Sequence, residues 1–479
     1  MKKLLLLSIL LFAITGCGRA SEVDHCEPDA PSQDYASHVY NDESTPHDDI
    51  IDETQPDEIP EQTPPNQPIP HNLAAQFFEE INQIFDEDGG QLWGFYLHAP
   101  IIFVDPDTRA AVANQPDPEG ILDKQGDVYV GLFPESLQVF DAVVTYDYFG
   151  GVLWVVVPWP SIQYRDQESV MRKLTHKTTH WHQHAFLTDF SVGGNSHMNE
   201  MEARVSIRLE VNALIRAFRA TDHEERLSAI VDALSFRGWR RQVFDGALSE
   251  NRLETIEGLA FYTEFALNIS GRGSLANILS TYAEGMVSGV NLESAFGYLS
   301  GALYAFLLSE LDITWKDGLN DSSDLGQILK EAMGITALKD ISDINLDLYR
   351  HRLIEQQESE WTSARSDTLN RLLEGMENHP TIQFHWDDYE HHGMALSGNR
   401  FSFADLGVVF QGNVEFMGSF GRLDVQGGEL IMHSDGFILA VAEDMEMEGR
   451  LVIASGWRLE LNYGYRVVPY GEDFRVVRR

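Results

Sequence analysis

Four histidines crowd one short stretch of the chain, Leu174–His184, which reads L-T-H-K-T-T-H-W-H-Q-H. They are His176, His180, His182 and His184. On an α-helix, residues four apart lie on one face, so His176, His180 and His184 would form one stripe. Two histidines at this spacing can present ring nitrogens to one zinc ion. The spacing predicts a helical metal site and leaves two pairs open, His176 with His180 or His180 with His184.

The residue after the first histidine of the pair decides what such a site could catalyse. In the H-E-x-x-H motif of zinc peptidases this residue is a glutamate, which takes a proton from zinc-bound water. Here Lys177 follows His176, and Trp181 follows His180. A lysine ammonium cannot accept a proton, and beside a dication it would be repelled or forced into its neutral form. We therefore expect either pair to lack the standard general base.

The charge balance of the chain excludes one class of partner. The 479 residues include 75 Asp and Glu against 34 Lys and Arg, which gives a formal net charge of −41. A surface this acidic repels nucleic acid and anionic lipid. We therefore expect no nucleic-acid partner. The length allows two or three domains.

Residues 1–16 are typical of a bacterial lipoprotein signal peptide. Lys2 and Lys3 are followed by an apolar run, Leu4–Ile14, which is too short for a permanent membrane span. The segment ends I-T-G-C, which resembles a lipobox, the signal for cleavage before a cysteine that is then lipidated. The alternative is a plain signal peptide followed by a chance cysteine. The motif favours attachment of Cys17 to the extracytoplasmic face of the cell membrane through its acyl chains.

Residues 17–71 are predicted to form the lipid anchor and a disordered spacer. Beyond Cys17 the segment is acidic, rich in Pro, Ser and Thr, and poor in large apolar residues. Such a composition cannot bury enough surface to offset the entropy that is lost on folding. If Cys17 is lipidated, Cys26 is the one other thiol in the sequence, so no intramolecular disulfide can form.

The rest of the sequence predicts an α+β fold with two parts. The first part, 72–379, should begin with a helix over 73–87 capped by Asn72, pass through a β-rich region at 88–160 and turn helical over 165–379. The predicted strands of the β-rich region are Leu92–Leu97, Ile101–Val104, Arg109–Ala113, Val128–Leu132, Asp141–Tyr146 and Val152–Val157. The predicted helices are Glu168–Phe186, Asn199–Phe218, Glu224–Phe244, Glu250–Leu267, Leu275–Met286, Leu292–Leu311 and Leu346–Met376.

From residue 380 onward the apolar residues alternate with polar ones. Short alternating segments with Gly or Asp between several of them predict a separate all-β sandwich or barrel over 380–479. The segments are Gln383–Trp386, Val408–Phe410, Gly421–Val425, Glu429–His433, Phe437–Val441, Arg450–Ile453 and Arg458–Leu461.

Several motifs resemble a group of largely uncharacterised secreted bacterial proteins with a gluzincin-like (peptidase MA-like) core. The group begins D-G-G-x-L-W-G, and residues 88–94 read D-G-G-Q-L-W-G. Residues 103–109 read F-V-D-P-D-T-R and lead to A-N-Q at 113–115, as in the group. Residues 257–263 read E-G-L-A-F-Y-T, where the group has E-G-L-A-E-Y-T. The chain from Gly418 to Arg478 also resembles the β domain of the group, so the resemblance covers most of the sequence beyond the spacer.

The resemblance implies a ligand set and a register for the histidine pair. In gluzincin-type peptidases a helix with an E-G-L-A motif supplies the third zinc ligand, and Glu257 takes that place here. The group places a Gln three residues after the second histidine, and Gln183 stands three residues after His180. The resemblance thus favours zinc at His176, His180 and Glu257, with Lys177 at the position of the missing base.

Other side chains could complete such a site. Glu254 lies one turn before Glu257 and could act as an atypical base. Tyr262, Tyr298 or Tyr304 could donate a hydrogen bond to a developing oxyanion, although a buried tyrosine in a helical core is more often structural.

The sequence as a whole predicts a membrane-anchored extracytoplasmic lipoprotein with a degenerate metallopeptidase-like core. Such a pseudopeptidase would bind a metal, a peptide or a component of the cell envelope in its former cleft. Two alternatives stay open. One is an active zinc-dependent hydrolase with Glu254 as its base, and the other is a structural surface lipoprotein without a ligand site.

Overall fold

The α+β fold predicted from the sequence is confirmed by the computed structural model, which has a mixed sheet, a helical core and a C-terminal β region. The structure describes residues 68–137, 139, 143–185, 187, 190, 194–285, 292–311, 313–389, 391–403, 406–433, 435–440 and 445–479. The predicted signal peptide, Cys17 and almost all of the predicted spacer lie outside these residues. Four predicted element ends, at Asp141, Phe186, Met286 and Val441, lie outside them as well.

The first helix, α1, spans His71–Asp88 and lays one apolar face on the N-terminal sheet. It begins earlier than predicted, because Pro70 and not Asn72 occupies the N-cap position. The proline ring fixes φ at −68°, and the Pro70 carbonyl accepts the first helical N–H groups. The helix ends where Gly89 adopts a left-handed φ of 56°.

The N-terminal sheet holds α1 on one face and a second apolar cluster on the other. Its strands are β1 Ile101–Val104, β2 Ala110–Ala113, β3 Asp123–Gln125, β4 Val128–Leu132, β5 Thr145–Phe149 and β6 Val152–Pro158. Their order is β3-β4-β2-β1-β6-β5, in which β1 and β6 are parallel and the other neighbours are antiparallel. Phe103 and Val155 pack toward α1, whereas Ile102 and Trp154 pack into the opposite cluster.

One expectation for this region was wrong, and one strand was missed. The predicted strand Leu92–Leu97 is a series of turns, because the Asp88 carboxylate accepts the N–H groups of Gly90 and Leu92 and winds the chain back on itself. Strand β3 was not predicted, since its three residues are all exposed and show no alternation of apolar and polar side chains.

The helical core follows the sheet. Its helices are α2 Gln167–Gln183, α3 Met201–Arg219, α4 His223–Val243, α5 Ala247–Leu253, α6 Leu259–Asn268, α7 Arg272–Gly285, α8 Leu292–Ser309, α9 Leu325–Ala332 and α10 His351–Asn378. Helix α8 is buried on almost every side, as expected for a helix that is apolar all round. In the described part of the chain, no helix is long and apolar enough to cross a membrane.

Two predicted helices are interrupted and one was missed. The predicted helix Glu250–Leu267 consists of α5, a π-helical segment at Glu254–Gly258 and α6. The predicted helix Leu346–Met376 starts as a 3-10 turn, and Arg350 then takes a left-handed φ of 63° before α10 begins. Helix α9 is only eight residues long and was not predicted.

The C-terminal part is one branched sheet in the described residues. Its strands are β7 Thr381–His385, β8 His391–Phe403, β9 Gly407–Gly418, β10 Gly421–His433, β11 Gly436–Ala440, β12 Glu446–Glu448, β13 Leu451–Ala454, β14 Trp457–Leu461, β15 Tyr465–Tyr470 and β16 Asp473–Arg478. Strand β10 pairs with β9 along one edge, and its other edge pairs first with β14 and then with β11. The two arms that start there, β14-β13-β12 and β11-β7-β16-β15, contribute side chains to one apolar cluster.

Strands β9 and β10 are longer than the sequence indicated. The predicted strands Gly421–Val425 and Glu429–His433 are two halves of β10, and the glycines between them form a bulge rather than a turn. Gly427 has a left-handed φ of 63° at that bulge. The strand pair β15–β16 was not predicted.

Candidate metal centre

Helix α2 carries His176 and His180 into the protein interior. The Asp166 side chain caps the helix by accepting the N–H of Ser169. Helix α2 packs on α6, which continues from the π-helical segment that carries Glu257. His176 and His180 are each 4% exposed, and Glu257 is 5% exposed. The three residues predicted as ligands therefore meet in a buried position between two helices.

The three candidate ligand atoms converge on one point. The Nε2 atoms of His176 and His180 are 3.0 Å apart. One carboxylate oxygen of Glu257, Oε2, lies 3.5 Å from the Nε2 of His176 and 3.3 Å from the Nε2 of His180. Ligands at tetrahedral corners around zinc, each about 2.0–2.1 Å from the metal, stand about 3.3 Å from one another. The spacing of these atoms thus matches a tetrahedral metal site, and in the described residues they are the one group that could hold a metal ion.

The partners of the other ring nitrogens fix which nitrogen carries the proton. The Nδ1 of His176 lies 3.2 Å from Glu264 Oε2, and the Nδ1 of His180 lies 2.7 Å from Gln183 Oε1. The Gln183 amide nitrogen donates to the carbonyl oxygens of Thr255 and Ile256, which leaves its oxygen to accept. Each imidazole therefore donates from Nδ1 and turns the lone pair of Nε2 toward Glu257.

This arrangement brings three acceptors together with no donor between them. Glu257 Oε2 is buried and has no hydrogen-bond partner. Lone pairs that converge in a buried position repel one another unless a cation is shared among them. A metal ion or an added proton can supply that cation. Two imidazoles and one carboxylate are a ligand set that suits zinc and leaves a fourth coordination position open.

The pKa shifts of Glu257 and His176 also favour a cation at the centre. Burial alone would raise the pKa of Glu257, but the attraction of His180 and the contacts with both imidazoles hold it well below its ordinary value. Burial alone would lower the pKa of His176, but its contacts with Glu257 and Glu264 raise it above its ordinary value. Glu257 is thus ionised, and a metal ion at the centre must compete with a proton on His176.

A chain of polar side chains supports His176 from behind. Arg172 donates from Nε to Glu264 Oε1 at 2.9 Å and from Nη2 to the Tyr282 hydroxyl at 2.8 Å. Glu264 is therefore held between Arg172 and His176, in the way that outer carboxylates orient metal-binding histidines. Sequence reasoning missed these residues. The available signal was helical spacing, because Arg172 lies four residues before His176 and Glu264 seven after Glu257.

Three glycines allow the π-helical segment to lie directly against α8. A Cβ atom on Gly258 would stand 2.5 Å from the Gly297 carbonyl oxygen, and one on Gly301 would stand 2.7 Å from the Glu254 carbonyl oxygen. No side chain larger than hydrogen fits between the two backbones at these points. A π turn also removes carbonyl groups from the regular helical ladder, and Gln183 binds two of them, at Thr255 and Ile256. The backbone that presents Glu257 is fixed from both sides.

Lys177 lies beside the ligands and is only 5% exposed. Its positive charge acts on His176 and opposes the rise in the pKa of that imidazole that Glu257 and Glu264 cause. The Tyr146 hydroxyl, on β5, donates to the backbone carbonyl of Lys177 at 3.0 Å and ties α2 to the edge of the sheet. Lys177 therefore occupies the helix position that was predicted for the missing base, directly after His176.

The structure does not bring Glu254 to the metal centre, so its predicted part as a base is not supported. Glu254 is fully buried, and both of its carboxylate oxygens accept hydrogen bonds from Arg237, at 2.7 and 2.6 Å. The Ser300 hydroxyl donates to the same carboxylate at 2.7 Å. Both carboxylate oxygens of Glu254 are therefore engaged by other side chains, and neither belongs to the group of converging ligand atoms.

Tyr304 is also part of this second cluster, and its predicted part as an oxyanion donor is not supported. Its hydroxyl donates to Glu210 at 2.7 Å, and burial together with Glu210 raises its pKa well above the ordinary value. We call the set the arginine cluster. It consists of Glu210, Arg237, Arg240, Arg241, Glu250, Glu254, Tyr304 and Asp324.

The remaining candidates flank the centre or lie away from it. His184 is not one of the converging ligands. Its ring packs on Tyr146 and Phe190, and burial lowers its pKa to about 4. The Tyr298 ring lies parallel to the His176 imidazole, with ring centres 5.9 Å apart. The Tyr262 hydroxyl pairs with Ser309 at 2.7 Å. The geometry therefore favours the His176 and His180 register over the pair His180 and His184.

No family model, no curated protein and no solved structure matches this chain. The resemblance to gluzincins therefore stays a prediction, and the function is inferred from the geometry of the centre.

Proposed function

We propose that the protein is a membrane-anchored extracytoplasmic lipoprotein with a gluzincin-like core that binds zinc and has lost peptidase activity. His176, His180 and Glu257 are the proposed zinc ligands. The observation that carries the proposal is the convergence of their three acceptor atoms, together with outer partners that turn both Nε2 lone pairs inward. Zinc bound there would polarise a ligand at its fourth position.

The proposed loss of peptidase activity rests on the groups that could take a proton. Lys177 occupies the helix position of the base and carries a positive charge that acts on His176. Glu254 is bound to Arg237 through both of its oxygens. Neither residue offers a free carboxylate to a water molecule at the centre. The residues around the site are thus suited to holding a metal and a ligand rather than to hydrolysing a peptide.

Zinc binding is the first test. The full chain is freed of metal with a chelator, incubated with zinc, and its zinc content is measured by mass spectrometry after removal of unbound ion. We expect one zinc ion per chain in the wild type and none in His176→Ala. His184→Ala is the matched control, because it removes a histidine of the same helix that lies outside the converging group. A wild type that binds no zinc, or a His176→Ala variant that keeps it, would contradict the proposed site.

Peptidase assays test the loss of catalysis. We expect no cleavage of a peptide library by the zinc-loaded wild type, since its base position holds a lysine. The variant Lys177→Glu restores a carboxylate at that position and is expected to gain activity. Cleavage by the wild type that Lys177→Glu leaves unchanged would show that another group acts as the base.

The proposed anchor is tested separately, because Cys17 lies outside the described residues. In a bacterial host, the wild-type chain should incorporate a labelled fatty acid and sediment with the membranes. Cys17→Ser should lose both properties, and Cys26→Ser should keep them. Equal labelling of the wild type and Cys17→Ser would exclude lipidation at this cysteine.

A further inference from the structure

Three aromatic rings surround the ammonium group of a lysine outside the metal centre. The rings belong to Trp93, Tyr262 and Trp315, and we call them the aromatic cage. The Nζ atom of Lys316 lies 5.2 Å from the first ring centre, 5.6 Å from the second and 5.3 Å from the third. An aromatic face attracts a cation that lies within about 6 Å of its centre. The cage therefore has the geometry of a cation site, and Lys316 fills it.

The walls of the cage are held by contacts that do not involve the lysine. Trp93 donates from Nε1 to the Thr263 hydroxyl at 3.0 Å, and the Tyr262 hydroxyl pairs with that of Ser309 at 2.7 Å. Trp315 is 6% exposed and meets the other two rings at angles of 60° and 72°. The planes of Trp93 and Tyr262 cross at 84°. The three rings thus form walls around one point, and each wall has a support other than the lysine between them.

Lys316 is half-buried and reaches the cage with the end of a flexible side chain. Its ammonium also donates a hydrogen bond to the Leu92 carbonyl oxygen. Burial lowers the pKa of Lys316, although the charge of Asp88 opposes this shift. A primary ammonium is strongly hydrated, so the cage takes up this cation at the expense of its water shell. Rotation of the side chain returns the ammonium to water and leaves the cage open to another cation.

We propose that the aromatic cage binds a trimethylammonium group and that Lys316 occupies it as an internal competitor. A trimethylammonium group carries the same charge but has no N–H groups to desolvate, so it loses less hydration than a primary ammonium on entering the cage. The formal net charge of −41 raises the concentration of cations around the chain. The inference goes beyond the proposed function, because none of the cage residues is a proposed zinc ligand.

Choline binding tests the cage directly. The metal-free full chain and its Lys316→Ala variant are titrated with choline in a calorimeter. We expect the choline Kd of Lys316→Ala to be lower than that of the wild type by about tenfold or more, because the cage is then empty in every chain. Neohexanol, the uncharged isostere of choline, should bind to neither, and the double variant Lys316→Ala/Trp93→Leu should lose choline binding. A Lys316→Ala variant that binds no choline, or that binds neohexanol equally well, overturns the inference.

Acetylation of the wild type tests the competition without a variant that must fold. The full chain is treated with a limiting amount of acetic anhydride, and acetylation of each lysine is measured by mass spectrometry. Choline above its wild-type Kd should raise the rate at Lys316 by about threefold or more, because the displaced side chain enters water. The rate at Lys124, which is exposed on β3, should stay the same. A rate at Lys316 that choline leaves unchanged overturns the competition between choline and the lysine.

A further titration distinguishes two sources of the trimethylammonium group. Lys316→Ala is titrated with phosphocholine, which adds the phosphate of a lipid headgroup to choline. Tighter binding of choline assigns the cage to a free cation, whereas equal or tighter binding of phosphocholine assigns it to a headgroup. Because all titrations use the metal-free chain, their outcome does not depend on whether zinc binds at the metal centre.

Discussion

Two buried clusters of charged groups share the π-helical segment Glu254–Gly258, and they satisfy their charges in different ways. In the arginine cluster, each carboxylate meets a guanidinium. Glu250 binds Arg240 and Arg241, Glu254 binds Arg237, and Glu210 binds both Arg237 and Arg240. Arg240 and Glu250 are completely buried. Every carboxylate of this cluster is therefore paired with a guanidinium of the protein, although the Arg237 Nε atom has no hydrogen-bond partner.

The metal centre lies at the other end of the same five-residue segment, and its carboxylate is not paired with a guanidinium. Glu257 meets two imidazoles that turn lone pairs toward it, and its Oε2 has no hydrogen-bond partner. Both clusters are buried, so the cost of an unsatisfied charge is similar in the two places. The arginine–carboxylate network thus pairs its carboxylates within the protein, whereas the converging acceptors could hold a cation from outside.

The largest expected effect is the loss of stability when the arginine cluster is broken. Arg240→Met removes the guanidinium that binds Glu210 and Glu250 but keeps an apolar side chain of comparable length. Removing one partner of a buried ion pair costs about 3–5 kcal/mol of unfolding free energy. Urea unfolding of the metal-free full chain measures this loss.

The matched control for this variant is an exposed ion pair. Arg458→Met removes a partner of Glu460 from the surface of β14, where both side chains are more than half exposed, and should cost less than about 0.5 kcal/mol. The zinc Kd of Arg240→Met should stay within about twofold of the wild type, because distant sites act independently. A zinc Kd that rises in step with the loss of stability would show that the two clusters act as one.

A smaller effect is expected where the two clusters share backbone. Gly301→Ala places a Cβ atom 2.7 Å from the Glu254 carbonyl oxygen and 2.9 Å from the Gly258 Cα. Neither atom can move without shifting the π-helical segment, so unfolding free energy should fall by about 1–3 kcal/mol. Because Glu257 lies in the same segment, the zinc Kd should also rise by about tenfold or more. Urea unfolding and zinc titration measure the two effects.

Gly375→Ala is the control for this substitution. It adds the same methyl group to a glycine of α10 that has no neighbouring atom within 4 Å of the new Cβ position. Replacement of a glycine inside a helix by alanine should stabilise the protein by up to about 1 kcal/mol. If Gly301→Ala left the zinc Kd unchanged, the segment would not be the common support of both clusters.

The part of the metal centre that could be predicted from the sequence is the part encoded by short spacing. His176 and His180 share one face whenever Leu174–His184 is helical. Gln183, three residues after His180, matched the motif of the similar group and favoured the pair His176 and His180. The structure brings these residues to Glu257, as predicted. The same local reasoning predicted strand β1 and the general course of the long helices, because apolar periodicity is a property of neighbouring residues.

The parts that could not be predicted depend on contacts between residues that are far apart in the sequence. No pattern of residues near Glu254 in the sequence indicates that Arg237 binds both of its carboxylate oxygens. Glu254 was therefore predicted as a base from its position alone, one turn before Glu257. The π-helical segment depends on the glycines of α8 and on Gln183, which belong to other helices. The bulge in β10 was read as a turn, because Gly427 and Gly428 are typical of both.

The smallest expected effect lies at the edge of the arginine cluster and concerns its dependence on pH. Asp324 binds Arg237 at 3.0 Å and Arg241 at 2.7 Å, and its side chain is 30% exposed. Burial alone would raise the pKa of Asp324, but the two arginines lower it from 3.8 to about 2. A carboxyl group whose pKa is lower in the folded state stabilises the protein above its unfolded pKa. This contribution should be present above about pH 4 and be lost as the pH falls toward 2.

Asp324→Asn isolates this contribution, because Asn caps α9 as well as Asp does but has no charge to titrate. Urea unfolding of both proteins without metal should show the wild type more stable by about 1 kcal/mol at pH 5, after allowance for solvent screening of a partly exposed group. The difference should shrink between pH 4 and pH 2. A difference that stays constant over this range would mean that the two arginines do not hold Asp324 in its charged form. The arginine cluster would then end at its fully buried carboxylates, and the contrast with the metal centre would rest on Glu210, Glu250 and Glu254 alone.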